Sequence, residues 1–421
     1  MREAATAHLH WPALRRPLLW LAVCLVAELG ALWPPSFHLT DHVIFWNVGR
    51  LYASGASPYD SAPWIALLAD YMNVNVQQIV VDLRGAVWPY PPWTGYLFVP
   101  FGLIPKEAGI YALHASYLVV GIGAGIATIG ALPWRTVTGR TLAVLLVPTF
   151  QPFVYAERLG HFDSYLLAGV VLSTAGFVRG RTALLAAGAL LLLAKPQVVP
   201  LYGLAVLALL VRDRRWRDIG VTAATLVIVA IVTAFLHPEA LSVMVAGSVS
   251  RLQLLSPESL NPIPDAWTLA QVIGGSSWPA VAVVLVGASV VACVAAIRWS
   301  PGDLRDATIF AAAVILSLFL VPYVFSYDQL LLVPAIALIV LAADRLNGAR
   351  RLPRLMLIVS VVTIAPWILF FAGVASGDHV LSALVPFAFA LLLALAMRSI
   401  RTAASGVPGS EGATATGPPT R

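Results

Sequence analysis

Apolar segments alternate with short arginine-containing stretches along the whole sequence. Twelve such segments lie near residues 17–33, 108–132, 141–156, 163–178, 182–194, 198–211, 219–236, 277–297, 307–321, 329–343, 355–374 and 380–397. With 59% hydrophobic and 11% charged residues among 421, the chain has too little polar surface to cover a water-soluble core of this size. The pattern predicts an all-α polytopic membrane protein with about 12 transmembrane helices.

Several of these segments are shorter than the roughly 20 residues that a bilayer normally requires. Short or broken helices are tolerated where they end at a cavity inside the protein. Two further apolar stretches, Trp93–Ile104 and Ala266–Gly275, are too short to cross a bilayer. We expect both to be re-entrant or interfacial.

The basic residues predict the orientation of the chain. Of 26 lysines and arginines, 20 fall on the side that also carries both termini. They are Arg2, Arg15, Arg16, Arg135, Arg140, Arg179, Arg181, Arg212, Arg214, Arg215, Arg217, Arg298, Arg305, Arg345, Arg350, Arg351, Arg354, Arg398, Arg401 and Arg421. Cytoplasmic loops are enriched in such residues. We therefore expect the protein to lie in the cell (cytoplasmic) membrane with both termini on the cytoplasmic side. No continuous basic face exists, and we expect no nucleic-acid partner.

The same placement defines the organisation of the chain. We expect residues 1–400 to form a single membrane domain, with external loops at 34–107 and 237–265 and a disordered cytoplasmic tail at 401–421. In the first loop, residues 41–52 carry apolar side chains at helical spacing. We expect an amphipathic helix on the membrane surface there, with Asp41 near its start, and a second one around residues 64–82.

Metal and disulfide chemistry find little support. The cysteines are Cys24 and Cys293, both within apolar runs, so neither a disulfide framework nor a cysteine metal site is available. No Asp-x-Asp faces outward, and no His-Glu-x-x-His set occurs. We expect no cofactor and no protein metal site, although a divalent cation held by Asp41 and a substrate phosphate stays open.

Lys195 stands out because the chain has only two lysines and this one interrupts a long apolar stretch. An ionisable group at membrane depth usually serves a function, and an ammonium could bind a lipid phosphate. The alternative is that the hairpin reaches the outer interface and the amine snorkels into water.

Two other clusters lie on the outer side. In the Glu157–Asp163 loop, Arg158 could bind phosphate, and His161 or Asp163 a sugar hydroxyl; the alternative is a solvated loop of mutually paired charges. Tyr327 and Asp328 could recognise a sugar, or form an aromatic belt and a helix cap. For Trp88, Tyr90 and Trp93 the belt is the favoured interpretation.

Five motifs occur in order on this face. They are Gly55-Ala56-Ser57-Pro58-Tyr59-Asp60 at the end of the run from Asp41, Trp88-Pro89-Tyr90-Pro91-Pro92, Gly160-His161-Phe162-Asp163, Lys195-Pro196-Gln197 and Tyr327-Asp328. Between Asp41 and Pro334 the chain thereby resembles glycosyltransferase family 87, polyprenol-phosphate-mannose-dependent mannosyltransferases of the GT-C superfamily. The family often has Gly-Gln with a following Asn where this chain has Gly160-His161-Phe162-Asp163.

The resemblance implies a GT-C-like fold and an activity. A hexose, mannose in the family, would pass with inversion from a polyprenyl-phosphate donor to a glycolipid or glycan acceptor at the extracytoplasmic face, among membrane lipids. It implies Asp41 as general base, although Asp41 could simply cap its helix. Substrate contacts would come from Lys195, Arg158, His161, Asp163, Gln197, Tyr327, Asp328, Tyr59, Asp60 and Tyr90.

Two other classes of protein fit the pattern. In a transporter or flippase of lipid-linked sugar, Lys195 and Asp328 would mark the transport pathway. In a structural subunit, replacing Asp41 or Lys195 would have no effect on chemistry. The early external Asp41 and the absence of clear symmetry between the two halves favour the transferase.

Overall fold

The computed structural model of the chain describes residues 41–59, 62, 64–66, 69, 88, 90–240, 242–243, 265–321, 324–346, 351–376 and 380–405. Regular structure in these ranges is helical, and no strand occurs in them. The α-helices are α1 (Asp41–Ala53), α2 (Pro92–Tyr96), α3 (Val99–Gly102), α4 (Lys106–Gly130), α5 (Val137–Leu146), α6 (Gln151–Leu159), α7 (Asp163–Arg179), α8 (Thr182–Leu192), α9 (Pro200–Arg212), α10 (Trp216–Leu236), α11 (Ala266–Gly274), α12 (Trp278–Trp299), α13 (Arg305–Leu320), α14 (Val333–Asp344), α15 (Arg351–Ser376) and α16 (Leu384–Ser405).

Each predicted span within these ranges coincides with helix, which confirms the all-α class; the segment at 17–33 lies outside them. Six stretches are long and apolar enough to cross a membrane, namely Lys106–Gly130, Val137–Leu159, Trp216–Leu236, Ala266–Trp299, Ser326–Asp344 and Val380–Ala403. Shorter apolar helices occur at Thr182–Leu192, Pro200–Arg212 and Leu357–Gly373. The chain is therefore a multi-pass membrane protein by helix length and composition. The count of about 12 spans stays a prediction.

α14 lies at the centre of the described structure. It packs against α4, α5, α13, α15 and α16, and all of its residues except Pro334 are buried. A helix that is apolar on all sides must be surrounded by other apolar material, and here the surroundings are protein. The 3₁₀ segment Ser326–Leu332 leads directly into α14 and is buried with it.

α10 is just as apolar but makes few contacts with protein. Most of its surface is exposed, and the Phe235 side chain is 85% exposed. Large apolar side chains cover this helix on several sides, as expected for a span surrounded by lipid tails.

The arginine-containing loops meet at one end of the molecule. The contacts that join them are Arg345 Nη2 with Asp303 Oδ2 at 2.9 Å, Arg135 Nη1 with the Arg345 carbonyl at 3.2 Å, Arg212 Nη1 with Asp306 Oδ1 at 3.3 Å, and Arg401 Nη1 with the Arg298 carbonyl at 3.4 Å. This grouping agrees with the loop alternation in the sequence. Which side of a membrane this end faces stays a prediction.

α1 differs from the expected surface helix. The helix is present, but nine of its thirteen residues are buried, including His42 and Asn47. α3 approaches its backbone so closely that a Cβ added at Gly49 would lie 2.1 Å from the Phe98 carbonyl oxygen. The prediction of a surface position is therefore wrong, because apolar residues and a glycine let protein cover this helix.

The remaining connections show how the shorter apolar stretches fold. Trp93–Ile104 forms α2 and α3, which pack on α1. α11 ends at a break at Gly275 (φ +50°) and packs against α12. α16 continues to Ser405. Residues 406–421 and Cys24 lie outside the described residues. The same is true of most of the predicted helix at 64–82 and most of the loop at 237–265.

Candidate functional site

Most of the predicted site residues that the structure describes come together at the end opposite the arginine-rich loops, where helices begin, end or break. The contributing segments are the start of α1, the turn between α6 and α7, the break between α8 and α9, and the 3₁₀ segment Ser326–Leu332. Helix termini leave backbone groups and polar side chains free to face a common space. The site is therefore built mainly from helix ends.

The turn between α6 and α7 positions His161 and Asp163. Gly160 ends α6 in the left-handed conformation (φ +81°), and the N–H groups of Gly160 and His161 both donate to the Ala156 carbonyl at 2.9 Å. α7 then begins at Asp163. Its carboxylate lies at the positive end of the helix dipole, which favours the charged form.

Lys195 lies in the break between α8 and α9. α8 ends at Leu192, and Pro196 and Pro200 prevent the helix from continuing. The side chain is buried (residue 2% exposed) and forms an ion pair with Asp328, with its Nζ 4.0 Å from Asp163 Oδ1. The ammonium does not reach solvent, so the snorkelling interpretation is wrong.

Asp328 holds the other half of this ion pair. It lies in a seven-residue 3₁₀ segment, a length that is uncommon for this helix type. One carboxylate oxygen accepts a hydrogen bond from the Lys195 ammonium, and the other accepts one from the Phe325 N–H at 2.7 Å. Asp328 thus caps the segment from its third position, not as the expected N-cap residue, which is Phe325, and is also a buried ion-pair partner.

His161 is buried and fixed at both ring nitrogens. Nδ1 lies 2.8 Å from Asp163 Oδ2, and Nε2 lies 3.0 Å from the Tyr90 hydroxyl. Because a carboxylate only accepts, Nδ1 carries the proton and Nε2 accepts from Tyr90. Burial, with the Lys195 charge adding to it, lowers the pKa of His161 to about 3, so the ring is neutral near neutral pH.

Asp41, the first residue of α1, is partly exposed and lies near His161, Asp163 and Lys195. Burial raises the pKa of Asp41 above its ordinary value, while the charges of His161 and Lys195 lower it and that of Asp163 raises it. Among the described residues, its carboxylate makes no hydrogen bond or ion pair. A carboxylate in this position can take up a proton.

The other predicted residues divide into supporting and distant ones. The Tyr59 hydroxyl donates to the Tyr90 carbonyl, and the Tyr327 ring stacks on His161 with 4.2 Å between centroids. Tyr327 also faces the Lys195 ammonium at 4.8 Å. Arg158 and Gln197 are exposed and make no hydrogen bond or ion pair with the cluster, and Asp60 lies outside the described residues.

The aromatic residues around Tyr90 only partly follow the expected interfacial belt. Trp88 is fully buried and packs edge-on against Phe45, Tyr90 and Phe98. The belt interpretation is therefore wrong for Trp88. Its ring instead supports the backbone segment that carries Tyr90.

A second buried polar group behind α1 was not predicted from the sequence. His42 Nε2 lies 3.1 Å from His114 Nδ1, which is 3.7 Å from Glu157 Oε2, and Ser164 Oγ donates to Glu157 Oε1 at 2.9 Å. Burial lowers the pKa of His42 to about 3. The available signal was His114, an ionisable residue inside an apolar segment.

Over the described part of the chain, no group of three or more His, Cys, Asp or Glu side chains is arranged to hold a metal ion. The carboxylates of Asp163 and Asp328 converge instead on the Lys195 ammonium.

The fold and the site define a helical multi-pass membrane protein with a buried ionic cluster at one end. A family model for glycosyltransferase family 87 matches residues 88–325, which is more than half of the chain. The chain belongs to this family and is a membrane glycosyltransferase. No curated protein and no solved structure is significantly similar to it.

His42 packs directly over Gly160. A Cβ at Gly160 would lie 2.1 Å from His42 Nδ1 and 2.5 Å from the His42 backbone nitrogen, so a side-chain rotation cannot relieve the overlap. We expect Gly160→Ala to lower the unfolding temperature of the detergent-purified chain, since overpacking costs about 1–3 kcal/mol beyond the backbone strain.

Gly180→Ala is the matched control for this variant. Gly180 also ends a helix with a positive φ (+63°), but no atom lies within 4 Å of an added Cβ. It therefore carries the backbone strain alone. Equal shifts in unfolding temperature for the two variants would contradict the packing of His42 on Gly160.

Proposed function

We propose that this glycosyltransferase moves a hexose, mannose by analogy with the family resemblance, from a polyprenyl-phosphate donor to a glycolipid or glycan acceptor. The reaction takes place at the extracytoplasmic face in a single displacement with inversion. Asp41 takes the proton of the acceptor hydroxyl, the acceptor oxygen bonds to the anomeric carbon, and the bond from that carbon to the phosphate oxygen breaks. The electron pair of the broken bond stays on the phosphate.

The single observation that carries this proposal is the convergence of Asp41 with His161, Asp163, Lys195 and Asp328. These residues come from distant parts of the sequence, and their charges act on one another. A glycosyl transfer needs a base for the acceptor and a cation for the departing phosphate within one site. This cluster contains both.

Asp41 suits the role of base better than the other carboxylates. Asp163 and Asp328 are fully buried and engaged with His161 and Lys195, whereas Asp41 is partly exposed and has no hydrogen-bond partner among the described residues. A base must come within hydrogen-bond distance of the proton it removes, which requires an accessible carboxylate.

Lys195 is the cation in this proposal. Its ammonium has three N–H donors, of which one meets Asp328, while Asp163 at 4.0 Å is beyond hydrogen-bond distance. Donors remain for a phosphate oxygen of the substrate. In a buried setting such an interaction is stronger than in water.

Tyr90 is proposed to contact the sugar, with His161 and Asp163 holding its hydroxyl in position. The Tyr90 hydroxyl donates to His161 Nε2, and the neutral His161 ring donates to Asp163. Tyr90, Tyr327 and Asp41 are the partly exposed members of the cluster, and they mark the side from which substrate enters.

Asp41→Asn tests the proposed base. We expect the rate of sugar transfer to fall about 10²–10⁴-fold, because an amide cannot accept the proton of the acceptor hydroxyl. The measurement follows labelled sugar from polyprenyl-phosphate-mannose into a membrane lipid extract in detergent, where no compartment exists for transport. Transfer at the wild-type rate by a monodisperse variant would refute the assignment.

Asp213→Asn is the control for this experiment. Asp213 is exposed at the arginine-rich end and pairs with Arg212 at 2.7 Å. The same chemical change there should leave transfer unchanged, since exposed ion pairs contribute little to stability.

The raised pKa of Asp41 predicts a pH dependence. Only the deprotonated carboxylate accepts a proton, so kcat/KM should rise with pH through the pKa of Asp41 and then level off. Because burial raises that pKa, the acid limb should lie above the ordinary carboxyl value of 3.8. A rate that stays level down to about pH 4 would argue against Asp41 as the base.

The Lys195–Asp328 pair allows a test that separates stability from function. Lys195→Met alone leaves the Asp328 carboxylate buried without its partner, and we expect a stability loss of about 3–5 kcal/mol. The double variant Lys195→Met/Asp328→Asn removes both charges and should regain most of the lost unfolding temperature. Transfer should stay abolished in it, because no cation faces the phosphate.

The two readouts distinguish the possible roles of the pair. A double variant that regains both stability and activity would mean that the ion pair only holds the fold together. Recovered stability without activity supports the proposed role in substrate binding.

A further inference from the structure

We propose that the arginine-rich end of the molecule carries a binding site for the headgroup of an anionic phospholipid, separate from the catalytic cluster. A surface cavity of about 340 Å³ lies there between the end of α12 and the start of α13. It is lined by Val294, Ile297, Arg298 and Arg305. The volume falls within the range of small-molecule sites.

The two guanidinium groups are available for a ligand. Neither Arg298 nor Arg305 makes a side-chain hydrogen bond or ion pair within the described part of the chain. The carboxylates next to Arg305 are used elsewhere, since Asp303 pairs with Arg345 and Asp306 with Arg212. Among the described residues, no carboxylate therefore pairs with either guanidinium group of the cavity.

The helix geometry gives no structural reason for an arginine at position 305. Arg305 is the first residue of α13, and a cation in the first turn of a helix is disfavoured by the helix dipole. An anion bound between Arg298 and Arg305 would offset this repulsion. Guanidinium groups suit a phosphate because they donate two parallel hydrogen bonds.

The neighbouring helix adds to the positive potential. Arg401 of α16 donates to the Arg298 carbonyl at 3.4 Å, and the Arg398 guanidinium lies 5.7 Å from the centre of the Trp299 ring. Neither α12 nor α16 contains an acidic residue. The surface around the cavity thus attracts anions without a competing carboxylate from these two helices.

The wall of the cavity favours a lipid over a free anion. Val294 shares the face of α12 that carries Arg298, because it precedes it by four residues, and Ile297 lines the cavity beside this face. The exposed Val284, Val291 and Val294 continue this face along the helix, and nothing lies within 4 Å of a Cβ added at Gly287. An acyl chain can lie along this apolar stripe while its phosphate reaches the arginines.

Native mass spectrometry of the full chain in detergent tests the proposal. We expect retention of phosphatidylglycerol over phosphatidylcholine with the same acyl chains, and about tenfold weaker phosphatidylglycerol binding in Arg298→Gln/Arg305→Gln. The control Arg179→Gln/Arg181→Gln removes the same charge from exposed positions on the same predicted side. It should bind phosphatidylglycerol like the wild type.

Three results would overturn the proposal. Equal weakening in both double variants would mean that only the total charge matters. Equal retention of the two lipids by the wild type would mean that the acyl chains bind without the headgroup. Displacement of phosphatidylglycerol by inorganic phosphate at millimolar concentrations would identify a site for a free anion. Sugar transfer is not used as a readout, so the result is independent of the proposed catalytic function.

Discussion

The buried contact between Lys195 and two carboxylates is the constraint on which the candidate site depends. Charged groups removed from water lose their hydration, and only close partners and hydrogen bonds offset that loss. Asp328 pairs with the ammonium and also accepts a backbone N–H, while Asp163 lies 4.0 Å away and is held by His161. Each group is therefore fixed by another, and together they join α7, the break after α8 and the segment before α14.

This constraint explains why so many helices end at the same place. A continuous helix would keep its backbone groups in its own hydrogen bonds and direct polar side chains toward lipid or apolar neighbours. Breaks at Gly160, at Pro196 and before α14 instead direct His161, Lys195 and Asp328 toward one point. In a membrane glycosyltransferase such an arrangement keeps charged groups together inside the protein without exposing them to acyl chains.

The sequence predicted this site only in part. Lys195 was found because an ionisable residue inside an apolar segment is costly and so stands out. Asp163 was found in a cluster of loop charges, and Asp328 beside Tyr327 just before an apolar span. Arg158 and Gln197 were adjacent in sequence but are exposed, since a residue near a turn can point away from the residue beside it. The pairing of His42 with His114 was missed because it joins two helices whose packing no local pattern reveals.

Local hydropathy and charge are enough to predict the helical class, the positions of the apolar helices and the grouping of arginine loops at one end. Which helices are central depends on how the helices pack against one another. α10 and α14 are both apolar on all sides, yet α10 is exposed along most of its surface and α14 is enclosed by protein. Lipid tails and a protein interior are equally apolar, so hydropathy cannot distinguish them. For the same reason, hydropathy did not show that α1 lies inside the protein and not on the membrane surface.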